Sequence, residues 1–185
     1  MMKKAWGALS TVCLLAILTK AQEQPSSEIA TLPPARGVYY QSPSGWTSVP
    51  FTLLVPSVNE GGWTLWPSTT VAEVKSAHSQ VRISTPRPTL YLRGISPAVG
   101  IYLVREIQKN NLRRLRMNLA RDDQEWAHFI DTVPFDMEPM AGGVVRIQPR
   151  ENLPTGAYTL ATGFERSSRW IFLGFEFEIP TSAQP

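Results

Sequence analysis

The chain offers two imidazoles, His78 and His128, and one cysteine, Cys13, so most of its chemical potential lies in carboxylates and guanidinium groups. Imidazole is the usual general base and a common metal ligand. His128 stands near Asp123, Glu125 and Asp131, but those offsets share a face only on a helix, and no HExxH or comparable spacing accompanies them. A surface histidine beside a solvated acidic turn is the weightier reading. His78 lies in a Ser/Ala/Gln stretch without a carboxylate close by in sequence. Asp136 and Glu138 are two apart, which puts both on one face of a strand. There they could serve as the paired carboxylates of a small glycosidase-like hydrolase, or as calcium ligands. An ordinary polar strand face outweighs that reading. The sequence contains neither Gly-x-Ser-x-Gly nor Ser-x-x-Lys, and no phosphate-loop or dinucleotide fingerprint. It therefore assigns no catalytic residue, no metal site and no cofactor.

Two groups of residues suit binding better than catalysis. Trp63 and Trp66, between Gly61-Gly62 and Pro67, form a pair of aromatic platforms for sugar rings or a proline-rich peptide, set against the simpler role of covering one end of a core. Arg105, Arg113, Arg114 and Arg116 concentrate positive charge on one hairpin that could meet an acidic partner or anionic lipid. Glu106 can neutralise part of that charge, and a charged edge that discourages sheet-to-sheet association is the competing role.

Short alternating runs between turn signals position these groups. Val38–Gln41 and Trp46–Val49 flank Ser42-Pro43-Ser44-Gly45 as a hairpin, and Phe51, Leu53 and Val55 continue with period two. Pro67 to Gln80 reads as a long loop or a short helix around Val71–Lys75. Further strands are expected at 81–83, 89–93, 101–108 and 112–119, the last two joined through Lys109-Asn110-Asn111. Within 112–119, Leu115, Met117 and Leu119 face inward while Arg114, Arg116 and Asn118 face outward. Asp122-Asp123-Gln124-Glu125 can cap at most a turn or two of helix through Trp126 to Phe129. Val133, Phe135 and Met137 form an edge strand, with Pro134 marking an unpaired amide. Strands follow at 143–148, 156–162 and 170–179, with 163–169 as the connecting loop. Glu176 and Glu178 are expected on a solvated face.

The first 21 residues have the order of an export signal. Lys3 and Lys4 precede the apolar run Trp6 to Leu18, and Thr19-Lys20-Ala21 supplies small residues for cleavage after Ala21. The run is too short for a permanent span and no stop-transfer pattern follows, so the mature chain is expected without a transmembrane segment, in the periplasm or outside the cell. The complete chain carries a formal charge of +3, but Lys3, Lys4 and Lys20 all fall in the signal. Without them charge is balanced, so nucleic acid is not implied as a partner. Cleavage also removes Cys13, and with it any disulfide or thiolate chemistry. Residues 22–36, rich in Pro and Ser, read as a flexible lead; 37–180 form one domain and 181–185 a disordered tail.

Leu153-Pro154-Thr155-Gly156-Ala157-Tyr158 has the spacing of a tyrosine corner, in which a hydroxyl reaches back to a backbone carbonyl at the turn between two sheets. With Gly37-Val38-Tyr39-Tyr40 near the start and a closing Phe-rich strand, the chain resembles exported, uncharacterised bacterial β-sandwich proteins, which often carry an acidic residue where Ala157 stands. The resemblance implies an all-β, immunoglobulin-like Greek-key sandwich and an exported location; it brings no activity, cofactor or catalytic residue. A noncatalytic binding or structural module of the envelope, with an envelope protein or glycan as partner, is the expected function.

Overall fold

The structure, a computed structural model, describes residues 27–54, 56–58, 69–74, 78–96, 100–109, 112–118, 128–166 and 169–181. Trp63, Trp66, the export signal and most of the helix expected after Asp122 lie outside them; His128 and Phe129, expected at the end of that helix, form a strand instead, paired with Asn118 and Met117. The strands in chain order are β1 (Gly37–Ser42), β2 (Gly45–Val49), β3 (Phe51–Leu54), β4 (Pro56–Val58), β5 (Thr69–Val74), β6 (Leu90–Arg93) and β7 (Ile101–Arg105), then β8 (Ile107–Lys109), β9 (Leu112–Asn118), β10 (His128–Phe129), β11 (Phe135–Met140), β12 (Val144–Pro149), β13 (Gly156–Arg166) and β14 (Arg169–Ile179). The class is all-β, and every pairing between these strands is antiparallel.

Three sheets result. A front sheet has the order β11-β12-β6-β1-β2, a central sheet β3-β14-β13-β7, and a back sheet β10-β9-β5-β4 with β8 also on β9. The central sheet is covered on both faces. Leu103, Tyr158, Leu160, Phe175 and Phe177 point forward into a core shared with Val38, Leu90, Leu92 and Ile147. Val104, Ala161 and Phe172 point backward into a second core with Leu115, Met117 and Phe129. Double coverage explains why β13 and β14 are apolar on successive residues, where a sheet with one wet face would alternate.

The period-two pattern at 51–55 is resolved differently from expectation. Leu54, 1% exposed, is the inward residue, whereas Phe51 and Leu53 are 67% and 53% exposed. The reason is that β3 changes sheet: one residue after Leu54 the chain joins the back sheet as β4, and the front sheet does not extend over this edge. Two other expectations are corrected. Thr69–Val74 is a strand held between β4 and β9, neither loop nor helix. β13 and β14 also run on as a ladder to Arg166↔Arg169, so 163–166 and 169 belong to strands and not to a connecting loop. At Gly174 a β-carbon would come within 2.9 Å of Thr159 Cγ2 and 3.0 Å of Leu54 Cδ1, so only hydrogen leaves these neighbours their places.

A second sheet change occurs at Glu106. β7 pairs with β13 in the central sheet and β8 with β9 in the back sheet, so the single residue between them is the hinge from one layer to the next. The return path runs beside it. Residues 131–133 follow β10 and lie along β7, with Arg105 N donating to Asp131 O at 2.9 Å and Val133 N to Leu103 O at 2.7 Å. The chain then enters the front sheet as β11.

Two tyrosines close turns in the same way. The Tyr158 hydroxyl donates to Pro154 O at 2.7 Å, and the Tyr39 hydroxyl to Ala35 O at 2.9 Å. In each case the acceptor is four residues back, and a glycine with positive φ, Gly156 or Gly37, stands two residues before the ring. The lead segment is packed from its short helical turn Ser27–Ala30 onward: Ile29 and Leu32 are buried against Tyr39, Tyr91 and Val144 on the outer face of the front sheet. Replacing Tyr158 by Phe keeps the ring and deletes the donor to Pro154 O. Urea unfolding of Y158F is expected to show a loss of about 1 kcal/mol with an unchanged slope; an unchanged midpoint would mean that the corner bond contributes nothing.

Candidate functional site

The four arginines singled out by the sequence do not share one surface. On β9 the alternation that turns Leu115 and Met117 inward also turns Arg113 inward, and its whole residue is 2% exposed. Its guanidinium lies between the central and back sheets. Nη1 donates to Glu106 Oε2 at 3.0 Å and Nη2 to Glu176 Oε2 at 2.5 Å. The Thr159 hydroxyl donates to the other Glu106 oxygen, Oε1. Four residues from four places in the chain thus meet: the hinge after β7, then β9, β13 and β14. Glu176, expected on a solvated face, is 6% exposed because the back sheet covers it.

Arg113 brings one positive charge to two carboxylates, and Glu176 Oε1 is buried without a hydrogen-bond partner. Burial is the dominant influence on Glu106. It raises the carboxyl above the ordinary glutamate value of 4.5, and the nearby Glu176 charge adds to the rise; the Thr159 hydroxyl and the Arg113 guanidinium oppose it without cancelling it. The two hollows described below are lined by other residues. What this arrangement does best is join sheets.

The remaining arginines lie nearer solvent. Arg116 makes a two-pronged pair with Asp131, Nε to Oδ2 at 2.7 Å and Nη2 to Oδ1, and that carboxylate raises the Arg116 pKa further. The contact fastens β9 to the return path beside β7. Arg114 is half-buried on the opposite face of β9 from Arg113. Arg105 is exposed and reaches the tyrosine corner, where its Nη2 stands 3.4 Å from Thr155 O. Burial pushes the Tyr158 hydroxyl pKa up, and the Arg105 charge partly offsets this.

The paired carboxylates of the hydrolase reading do share β11, yet each faces an arginine. Asp136 accepts from Arg150 Nε at 2.8 Å, and Glu138 pairs with Arg146. His78 Nδ1 lies 3.6 Å from Glu178 Oε2 on β14. Among the described residues, no three His, Cys, Asp or Glu side chains are grouped to hold a metal ion.

Two hollows of about 420 Å³ each adjoin Val133 and Pro134. One is lined by Tyr102, Phe129 and Phe135, and the other by Arg105, Glu151, Leu153, Pro154 and Tyr158. Their size falls in the range of small-ligand sites. The sequence analysis passed over Glu151 and the proline walls, although the tyrosine-corner motif already brings Leu153, Pro154 and Tyr158 together. Comparison of the chain with protein-family models, curated proteins and solved structures finds no match.

Removing Arg113 leaves two buried carboxylates unpaired. R113M is expected to cost about 3–5 kcal/mol in urea unfolding, against a few tenths for the exposed R105M. The pH dependence has a defined sign. Because Glu106 is raised in the folded state, the folded chain holds more protons than the unfolded chain above 4.5. Its contribution is full below that value and is lost as pH rises through the folded pKa. Urea midpoints measured from about pH 5 to about pH 8 should therefore decline more steeply in the parent than in E106Q, which keeps a hydrogen-bonding side chain and cannot titrate. Equal slopes would contradict the raised Glu106.

Proposed function

We propose that the protein is an exported, noncatalytic binding or structural module of the bacterial envelope, in which the front and central sheets form an immunoglobulin-like Greek-key sandwich and the back sheet is an added layer. Support for the sandwich comes from the order β11-β12-β6-β1 facing β14-β13-β7, from the crossings between sheets after β6 and after β12, and from the Tyr158 corner at the second crossing. The export order at Lys3 to Ala21 and the charge balance after it support the location.

One observation carries the noncatalytic reading: the carboxylates best suited to catalysis are spent on arginines. Glu106 and Glu176 hold Arg113, Asp136 holds Arg150, and Glu138 holds Arg146. A general acid or base has to reach a substrate proton, and neither Asp136 nor Glu138 lines either hollow. The hollows beside Val133 and Pro134 are then the places for a ligand, with an envelope protein or glycan as the source.

The test has two parts. Mass spectrometry of the protein recovered from the envelope should give a chain beginning at Gln22. The same chain, immobilised and exposed to envelope extract, should retain a component saturably, with D136N/E138Q retaining it equally well. A chain still carrying Met1 would contradict export, and glycoside hydrolysis abolished in D136N/E138Q would contradict the noncatalytic reading.

A further inference from the structure

The hollow beside the tyrosine corner has charged groups of both signs at an apolar cavity. Its walls are Val133, Pro134, Leu153, Pro154 and the ring of Tyr158. Arg150 belongs to the lining but is already paired with Asp136. The Arg105 side chain has no carboxylate partner among the described residues, and the one polar contact of its guanidinium among them is the long approach to Thr155 O. Glu151 is exposed and likewise has no cationic partner among the described residues. One cation and one anion thus face a cavity of about 420 Å³ without neutralising partners.

A ligand of a single sign would gain from one of these groups and be repelled by the other. A zwitterion gains from both. The guanidinium fork of Arg105 suits the two oxygens of a carboxylate, and the Glu151 carboxylate suits an ammonium. Their placement sets the length. The Arg105 guanidinium rests at Thr155, four residues beyond Glu151, a chain span of at most about 14 Å. That range fits the two ends of a peptide of about two or three residues. The prolines present apolar surface without amide donors, which favours hydrocarbon side chains on the ligand, and Asn152 at the rim can pair with a peptide unit.

We propose that this hollow binds a short apolar peptide in its zwitterionic form, Arg105 taking the terminal carboxylate and Glu151 the terminal ammonium. The assignment rests on the reading of the protein as a binding module and narrows it to one class of ligand.

Calorimetric titration of the purified protein with Leu-Leu, N-acetyl-Leu-Leu and Leu-Leu amide tests it. Leu-Leu should bind most tightly, each capped derivative roughly fivefold more weakly. In R105Q, Leu-Leu and its amide should bind equally; in E151Q, Leu-Leu and its N-acetyl derivative should. Either capped peptide matching Leu-Leu on the parent protein would overturn the two-ended site, as would no binding of any of the three. Failure of all three peptides alongside saturable capture from envelope extract overturns the peptide assignment alone. Failure of both experiments removes the binding reading as well.

Discussion

The buried guanidinium of Arg113 sets the conditions for the rest of the architecture. An arginine inside protein is tolerable only when its charge and its donors are met, and here two carboxylates, one at the hinge after β7 and one on β14, meet them. Glu106 can do so because it is the residue at which the chain leaves the central sheet for the back sheet. Glu176 can do so because the back sheet lies over its face of β14. The same contacts therefore fix where β7 bends, where β9 sits and which face of β14 is covered. Burial and the second carboxylate raise the Glu106 pKa, so the layer contact is coupled to pH through that residue.

Around that junction the cost of double coverage is met by hydrocarbon. Forward-facing Leu160, Phe175 and Phe177 and backward-facing Ala161, Val104 and Phe172 give the central sheet a core on each side. Gly174 supplies the room that Leu54 and Thr159 need on the rear face. The two tyrosine turns then secure the entries to β1 and β13, where backbone carbonyls would otherwise lack partners. The hollow with Arg105 and Glu151 lies at the second of these turns, so the rigidity that the fold requires there also holds the walls of the candidate binding site.

Legibility in the sequence followed locality. The β1–β2 hairpin, the β8–β9 hairpin and the corner at Leu153–Tyr158 depend on residues a few places apart, and their residue types announce them. The second corner carries the same Gly-x-Tyr spacing at Gly37-Val38-Tyr39, a signal available to the same reasoning. Arg113 was half legible: alternation with Leu115 and Met117 places it inward, whereas its charge argues for solvent. What decides between them is Glu176, 63 residues away in the chain, and no local pattern reports that approach. Thr69–Val74 reads as part of a long loop or a short helix from its polar surroundings, although Thr69, Thr70, Val71 and Val74 are β-branched and favour the strand that its partners β4 and β9 complete. For the hollow, the walls were visible in the corner motif, but the meeting of Arg105 with the 151–155 turn depends on β7 pairing with β13.

The central claim is that Arg113, Glu106 and Glu176 act as one unit joining two sheets. The most direct measurement compares the unfolding free energy of the triple variant R113M/E106L/E176L with those of its three single variants. A unit that stabilises only when complete predicts that the triple variant is far less damaged than the sum of the singles, recovering most of what R113M alone loses. Additive losses, with the triple variant as unstable as the three singles combined, would contradict it.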